Sequence, residues 1–192
     1  MKIIINGAGG RMGRALTAMI EKGIRGAQLA GAVDPFVEGF VPALEDCAAE
    51  ADIIIDFSNH ESTRALTDYA LSRKLPLIVC TTGHTEEELA MIEKASESIP
   101  VFHSGNMSLG IALLTELARR AAEMFPDADI EIVEAHHNQK LDVPSGTALM
   151  LAHSVQEVRE DATLLVGRHE NGKRTPQEVG IHSLIYLYCI LP

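Results

Sequence analysis

The chain has 192 residues, enough for one large domain or two small ones. Hydrophobic residues at 46% and charged residues at 22% exclude wholesale disorder, and 4% aromatics with no Trp leave Ala, Ile, Leu, Val and Met to build the core. Lys and Arg total 16 against 27 for Asp and Glu, a net charge of −11 with no basic cluster, which argues against nucleic acid or an anionic membrane as partner.

Ile3 to Ile5 predicts a short buried strand, followed by Met12, Ala15, Leu16, Met19 and Ile20 at helical spacing. Further strands are expected at Gln28 to Val33, Ala51 to Phe57, Leu75 to Val79 and Ile99 to His103. Ala65, Leu66 and Tyr69 mark one intervening helix. Another opens at Thr85-Glu86-Glu87-Glu88, with Leu89 and Ile92 on its inner face and acid at its positive end. This alternation implies βαβ units and a parallel sheet with right-handed crossovers. After Asn106 the rhythm changes. Ser108 to Met124 predicts one long helix with Leu109, Ala112, Leu113 and Leu117 as its apolar stripe, and Asp129 to Ala135 a strand with Ile130 and Ile132 on one face. A helix near Ser145 and weaker strands at Thr163 to Val166 and Glu178 to Leu184 follow.

The expected fold is therefore α/β: a Rossmann-like parallel-sheet domain over 1–105, then an incomplete α+β substrate and oligomerisation domain over 106–184. Residues 185–192 form an atypical uncharged apolar tail, read either as a buried terminal strand or as a segment foreign to the original protein. No apolar run approaches the ~20 residues that span a bilayer, and Met1 to Ile5 is too short for a signal-peptide core. Cys47, Cys80 and Cys189 show neither a CxxC pair nor metal-ligand spacing, so free thiols, no metal and a cytoplasmic location are expected.

Gly7-Ala8-Gly9-Gly10-Arg11-Met12-Gly13 follows the first strand and opens the first helix. Such glycines permit a tight turn and close approach of a pyrophosphate to the helix N-terminus, although the same turn could serve packing alone. The final glycine falls one place late for GxGxxG. Asp34 ends the second strand, 21 residues past Gly13, where a carboxylate meets ribose hydroxyls; this favours NAD over NADP, with Arg11 within reach of a 2′-phosphate. Cys80-Thr81-Thr82-Gly83 follows the fourth strand at the ligand-binding edge and reads equally as a nicotinamide-side contact or an ordinary turn. No base for a nucleophilic Cys80 is visible, so a packed thiol is preferred.

Glu134-Ala135-His136-His137-Asn138-Gln139-Lys140 lies at a strand end, ahead of Pro144-Ser145-Gly146-Thr147. Adjacent histidines in an extended chain point to opposite faces, which disfavours metal binding. A solvated polar loop is the plain alternative, but Ser145 reads as an N-cap that leaves the Gly146 and Thr147 N–H groups for an anion. Proton donors beside a carboxylate cradle suit reduction of a small acidic substrate.

With these motifs the chain resembles the dihydrodipicolinate reductases (4-hydroxy-tetrahydrodipicolinate reductases) of lysine and diaminopimelate biosynthesis. The resemblance runs from Lys2 to about Leu184 through the glycine turn, Ile55-Asp56-Phe57-Ser58, Thr81-Thr82-Gly83, Gly105-Asn106-Met107-Ser108 and Glu134 to Ala148. It implies that His136 protonates the substrate and that Lys140 is its cationic partner. It implies dicarboxylate binding by His137, Ser145, Gly146 and Thr147. Cofactor contacts would come from Gly7, Ala8, Gly9, Gly10, Arg11, Met12, Asp34, Cys80, Thr81, Thr82, Gly105, Asn106, Met107 and Ser108, with NADH or NADPH as cofactor and a homotetramer as the assembly. Cys80 stands where the family usually has glycine, and Ile185 to Pro192 replaces the family's further strands. The alternatives are a catalytically impaired NAD(H)-binding remnant, or another Rossmann oxidoreductase acting on a sugar or aldehyde; the Glu134 to Ala148 run argues against the latter.

Overall fold

Three consecutive isoleucines can be buried only where both faces of a sheet are covered, and the first strand, β1 (Lys2–Asn6), meets that condition. In the computed structural model, which describes residues 1–140, 143–169 and 171–186, Ile4 packs on one face with Ile54, Leu66, Leu77 and Val79. Ile3 and Ile5 pack on the other with Ala8 and Ile20. The chain divides into two compact units, Met1–Gly105 and Asn106–Pro192.

The first unit runs β1, α1 (Arg11–Glu21), β2 (Gln28–Val33), β3 (Ile53–Asp56), α2 (Thr63–Arg73), β4 (Leu77–Val79), α3 (Glu86–Ser96) and β5 (Val101–His103). Its strands lie in the order β2-β1-β3-β4-β5, all parallel. The order reverses between β1 and β3, which opens a crevice at the carboxyl edge of the sheet. β4 and β5 begin later than the apolar runs predict because Pro76 and Pro100 have no N–H for the ladder. Their carbonyls still accept from Ile54 and Leu77 at 3.0 and 2.9 Å. Helix α3 starts in a capping box: the Thr85 hydroxyl accepts from Glu88 N (3.3 Å), while the Glu88 carboxylate accepts from Thr85 N (2.7 Å). Ile92 is buried with Ala95, whereas Leu89, expected on the inner face, is exposed.

The second unit contains α4 (Leu109–Met124), β6 (Ile130–His137), α5 (Gly146–Gln156), β7 (Thr163–Val166) and β8 (Glu178–Tyr186). Its sheet has the order β6-β8-β7, and all its described pairings are parallel. The expectation of an α+β domain thus meets a small parallel sheet, because α5 carries the chain from β6 to β7 as a crossover. Ala148, Ala152 and Ile181 close α5 onto this sheet, and Ala122, Val155, Ala162 and Val179 form a neighbouring core. β6 runs to His137 rather than Ala135, since His136 and His137 pair with Ile185 and Tyr186. The first two residues of the expected tail therefore belong to β8, and 187–192 lie outside the described residues. Leu109, Leu113 and Leu117 of α4 are exposed. Among the described residues no helix is long and apolar enough to cross a membrane.

Candidate active site

The glycine turn leaves β1 at the crevice. Gly7 adopts φ +74°, and a Cβ there would lie 2.6 Å from the Phe57 backbone. A Cβ on Gly9 would come within 2.8 Å of the Asp34 carboxylate. The backbone is thus packed as tightly as a phosphate cradle requires. Gly10 caps α1 with no side-chain hydrogen bond, so the first-turn N–H groups keep their capacity for an anion. These features fit a dinucleotide. Arg11 and Met12 are exposed beside the turn, while Ala8 is fully buried, which leaves it only its backbone for contact.

Asp34 is buried at the end of β2, where the sequence expects a ribose ligand. Its carboxylate already accepts from Gly9 N (3.0 Å) and Phe36 N (2.9 Å), and so ties the glycine turn to β2. Each oxygen keeps a second lone pair for a hydroxyl. Asp34 lines one cleft of about 360 Å³ with Gly7, Gly10, Phe36 and Ser58. Arg11, Met12, Ser58, Cys80, Thr81 and Thr82 line a second of about 450 Å³. Burial, and then the charge of Asp56, push the Cys80 thiol up to about 11, so it is a packed thiol and not a thiolate nucleophile.

Between these clefts sits a buried carboxylate that the sequence reading gave no role. Asp56 accepts from Asn6 Nδ2 (2.8 Å), Ser58 N (3.3 Å), the Ser58 hydroxyl (2.5 Å) and the Thr81 hydroxyl (2.5 Å). The available signal was an aspartate closing an otherwise apolar strand at the ligand edge. Beyond Thr82, His84 and His103 stack edge-to-face with centroids 5.1 Å apart. Gly105 ends the unit, and a Cβ on it would lie 3.1 Å from the Thr82 methyl.

In the second unit, Ser108 caps α4 by accepting from Ile111 N (3.4 Å), and its own N–H donates to Asn106 Oδ1 (2.8 Å). The Asn106 amide in turn donates to the Thr147 hydroxyl (2.9 Å), which joins a segment expected at the cofactor to one expected at the substrate. Met107 between them is exposed.

Glu134 and His136 are two apart on β6 and share a face. His136 Nε2 donates to Glu134 at 3.0 Å. The same carboxylate accepts from Ser145 N (2.8 Å), from the Ser145 hydroxyl and from the Ser183 hydroxyl (2.6 Å) of the neighbouring strand. Burial works to raise the Glu134 pKa, but bonds from His136, Ser145 and Ser183 outweigh it and hold the group down at about 2. Ser145 is the N-cap of α5 as expected: its hydroxyl accepts from Ala148 N (3.1 Å). Gly146 and Thr147 therefore open the helix beside His136. His137 is exposed on the opposite face, and its Nδ1 accepts from Gln139 N (3.1 Å) in the following turn. Lys140 is half-buried at the end of that turn, with its N–H donating to His137 O (3.2 Å). The missed residues are Glu134 and Ser183, which meet only through strand register.

A parallel dinucleotide-binding sheet followed by a unit that carries this His–Glu–Ser cluster is the arrangement of a nicotinamide-dependent reductase. Residues 1–107 match the family model for the N-terminus of dihydrodipicolinate reductase, and residues 110–187 match that for its C-terminus. The chain is 38% identical over 191 residues to a 4-hydroxy-tetrahydrodipicolinate reductase of Clostridium perfringens, covering 96% of this chain and 75% of that protein. It is 42% identical over 190 residues to that of Caldanaerobacter subterraneus subsp. tengcongensis, with the same coverage. A dipicolinate-bound dihydrodipicolinate reductase structure from Paenisporosarcina sp. TG-14 matches in fold with a TM-score of 0.65 at 24% identity, over 96% of this chain and 78% of that one. The chain belongs to the dihydrodipicolinate reductase family. Its reaction is the NAD(P)H-dependent reduction of 4-hydroxy-tetrahydrodipicolinate to tetrahydrodipicolinate, in lysine and diaminopimelate biosynthesis. The extent of the similarity favours a working reductase over a cofactor-binding remnant.

Proposed function

We propose that His136 supplies the proton this reduction consumes, and that Lys140 and the start of α5 hold the substrate's carboxylates. The observation that carries this reading is the Glu134 carboxylate, which bonds both His136 and the α5 N-cap Ser145. With Nε2–H given to Glu134, Nδ1 is the nitrogen left to carry a transferable proton. Ser145 positions the helix start, and the Gly146 and Thr147 N–H groups, the Thr147 hydroxyl (which accepts from Asn106 and so has its own proton to donate) and the Lys140 ammonium are the donors suited to a dicarboxylate. His137 faces away from this cluster, so a substrate contact by it comes from the other side of β6.

On the cofactor side, the turn from Gly7 to Met12 receives the pyrophosphate and Asp34 the adenosine ribose. The segments Cys80 to Thr82 and Gly105 to Ser108 receive the nicotinamide half. The bound NADH or NADPH supplies hydride; the chain's own residues orient the substrate and deliver the proton. Water leaves with the substrate's hydroxyl, which balances the proton taken up. The remaining family expectations, a cytoplasmic homotetramer acting on a small dicarboxylate, belong to the same reading.

Dipicolinate, found in the related structure, is the probe. It is expected to inhibit competitively with the substrate, and Thr147→Val and Lys140→Ala should each raise its inhibition constant about tenfold, the size of a lost charge-assisted hydrogen bond. Inhibition constants unchanged in both variants would remove these residues from the carboxylate site.

A further inference from the structure

We propose that Asp56 is a positioning residue for the nicotinamide half of the cofactor, and that its charge favours the oxidised ring. The proposal rests on the assignment of Thr81 and Thr82 to that half. Asp56 is 1% exposed and ends β3 at the carboxyl edge, directly beside the crevice between β1 and β3. Everything bonded to it donates. Asn6 reaches it from the end of β1, Ser58 from the turn after β3, and Thr81 from the turn after β4. Asn6 also donates to the Ser58 hydroxyl at 3.1 Å, which closes the network. One carboxylate therefore fixes three strand ends against one another.

All four hydrogen bonds to this carboxylate arrive from donors, so the cluster is built around an acceptor at this position. Among the described residues its hydrogen-bond partners are neutral amide and hydroxyl groups and no Lys or Arg forms an ion pair with it, although its charge is felt at His84. An uncompensated buried charge is costly, and a scaffold needing shape alone could avoid it. The charge reaches the cleft wall. Ser58 and Thr81, which bond it directly, both line the cleft that includes Thr82, and the Cys80 thiol in the same wall is raised partly by Asp56.

In an open parallel sheet a dinucleotide lies across the switch point. With its adenosine half on the β2 side at Asp34, its other half falls on the β3–β4 side, in front of Asp56. The oxidised nicotinamide ring carries a positive charge that the reduced ring lacks. A fixed negative charge behind that position binds the oxidised form preferentially and stabilises the charge that develops as hydride leaves. The Thr81 hydroxyl, committed to Asp56, cannot turn its proton toward the ring. Thr82 and the backbone are left to make direct contacts.

The test is to titrate NADH and NAD⁺ separately into the unchanged chain, Asp56→Asn and Thr81→Val. Asp56→Asn is expected to weaken NAD⁺ about tenfold more than NADH, the factor Coulomb's law gives unit charges about 12 Å apart at an effective dielectric constant of about 20. Thr81→Val removes a hydrogen bond but leaves the charge, so it should weaken both forms by the same factor. Should Asp56→Asn not fold, Asp56→Glu carries the test: retaining the charge, it must keep the NAD⁺-to-NADH ratio of the unchanged chain. Equal weakening of both forms by Asp56→Asn, or a changed ratio in Asp56→Glu or Thr81→Val, overturns the proposal and leaves Asp56 a scaffold residue. Failure of NADH to bind the unchanged chain would instead overturn the cofactor assignment, and this proposal with it.

Discussion

Replacing His136 by glutamine is expected to lower kcat by about 10²–10⁴-fold, the usual worth of a positioned acid, while NADH binds with its affinity unchanged. Glutamine can keep the hydrogen bond to Glu134 that the imidazole makes at 3.0 Å, but its amide has no proton to give. The glycine turn, Asp34, Asp56 and Thr81 all lie in the Met1–Gly105 unit, so cofactor affinity has no reason to follow the change. Lys140→Ala should act in the same direction. The double variant should lose far less than the product of the two single losses, because an acid and the cation that holds its substrate act as one unit. Turnover of His136→Gln within a factor of two of the unchanged chain would take this residue out of the chemistry.

The second large effect is expected at Glu134, and it is read in stability. Burial alone would raise this carboxyl, yet hydrogen bonds from His136, Ser145 and Ser183 hold it at about 2 in the fold, below its ordinary value of 4.5. A group depressed on folding stabilises the native state fully above its unfolded pKa. That contribution, about 3 kcal/mol by linkage, is lost as the pH falls from about 4.5 toward 2. Glu134→Gln should therefore be less stable near neutrality by up to that amount. Its stability should also vary less than that of the unchanged chain between these two pH values, as measured by urea unfolding or by hydrogen exchange in β6. It should lose turnover as well, since His136 and Ser145 would no longer share an anchor. An identical pH dependence of stability in the two proteins would show that the carboxylate is not held as its hydrogen bonds imply.

What could be read from the sequence was what neighbouring residues decide. The isoleucine run of β1, the turn at Gly7, the Thr85–Glu88 capping box and the Ser145 N-cap all rest on residues a few places apart, and local geometry fixes each of them. Two expected strand starts erred where proline removed a ladder donor, at Pro76 and Pro100, and the end of β6 erred because its pairing with β8 lies beyond local sequence. The apolar residues of α4 gave a clean helical stripe, but periodicity cannot say what covers it; Leu109, Leu113 and Leu117 are exposed. Both carboxylate networks escaped notice for another reason. Glu134 meets Ser183 across 49 residues, and Asp56 meets Asn6 across 50 and Thr81 across 25. Such pairs exist only once strand order and register are set. His137 shows the converse: strand alternation already placed it opposite His136, while the family resemblance put both in one site.

The most direct test of the whole account follows NADH while freshly generated 4-hydroxy-tetrahydrodipicolinate is added to the purified chain. We expect NADH to be consumed in proportion to substrate, at a rate that saturates and that His136→Gln lowers by about a hundredfold or more. NADH that binds but is not consumed would contradict the assignment of a working reductase to this chain.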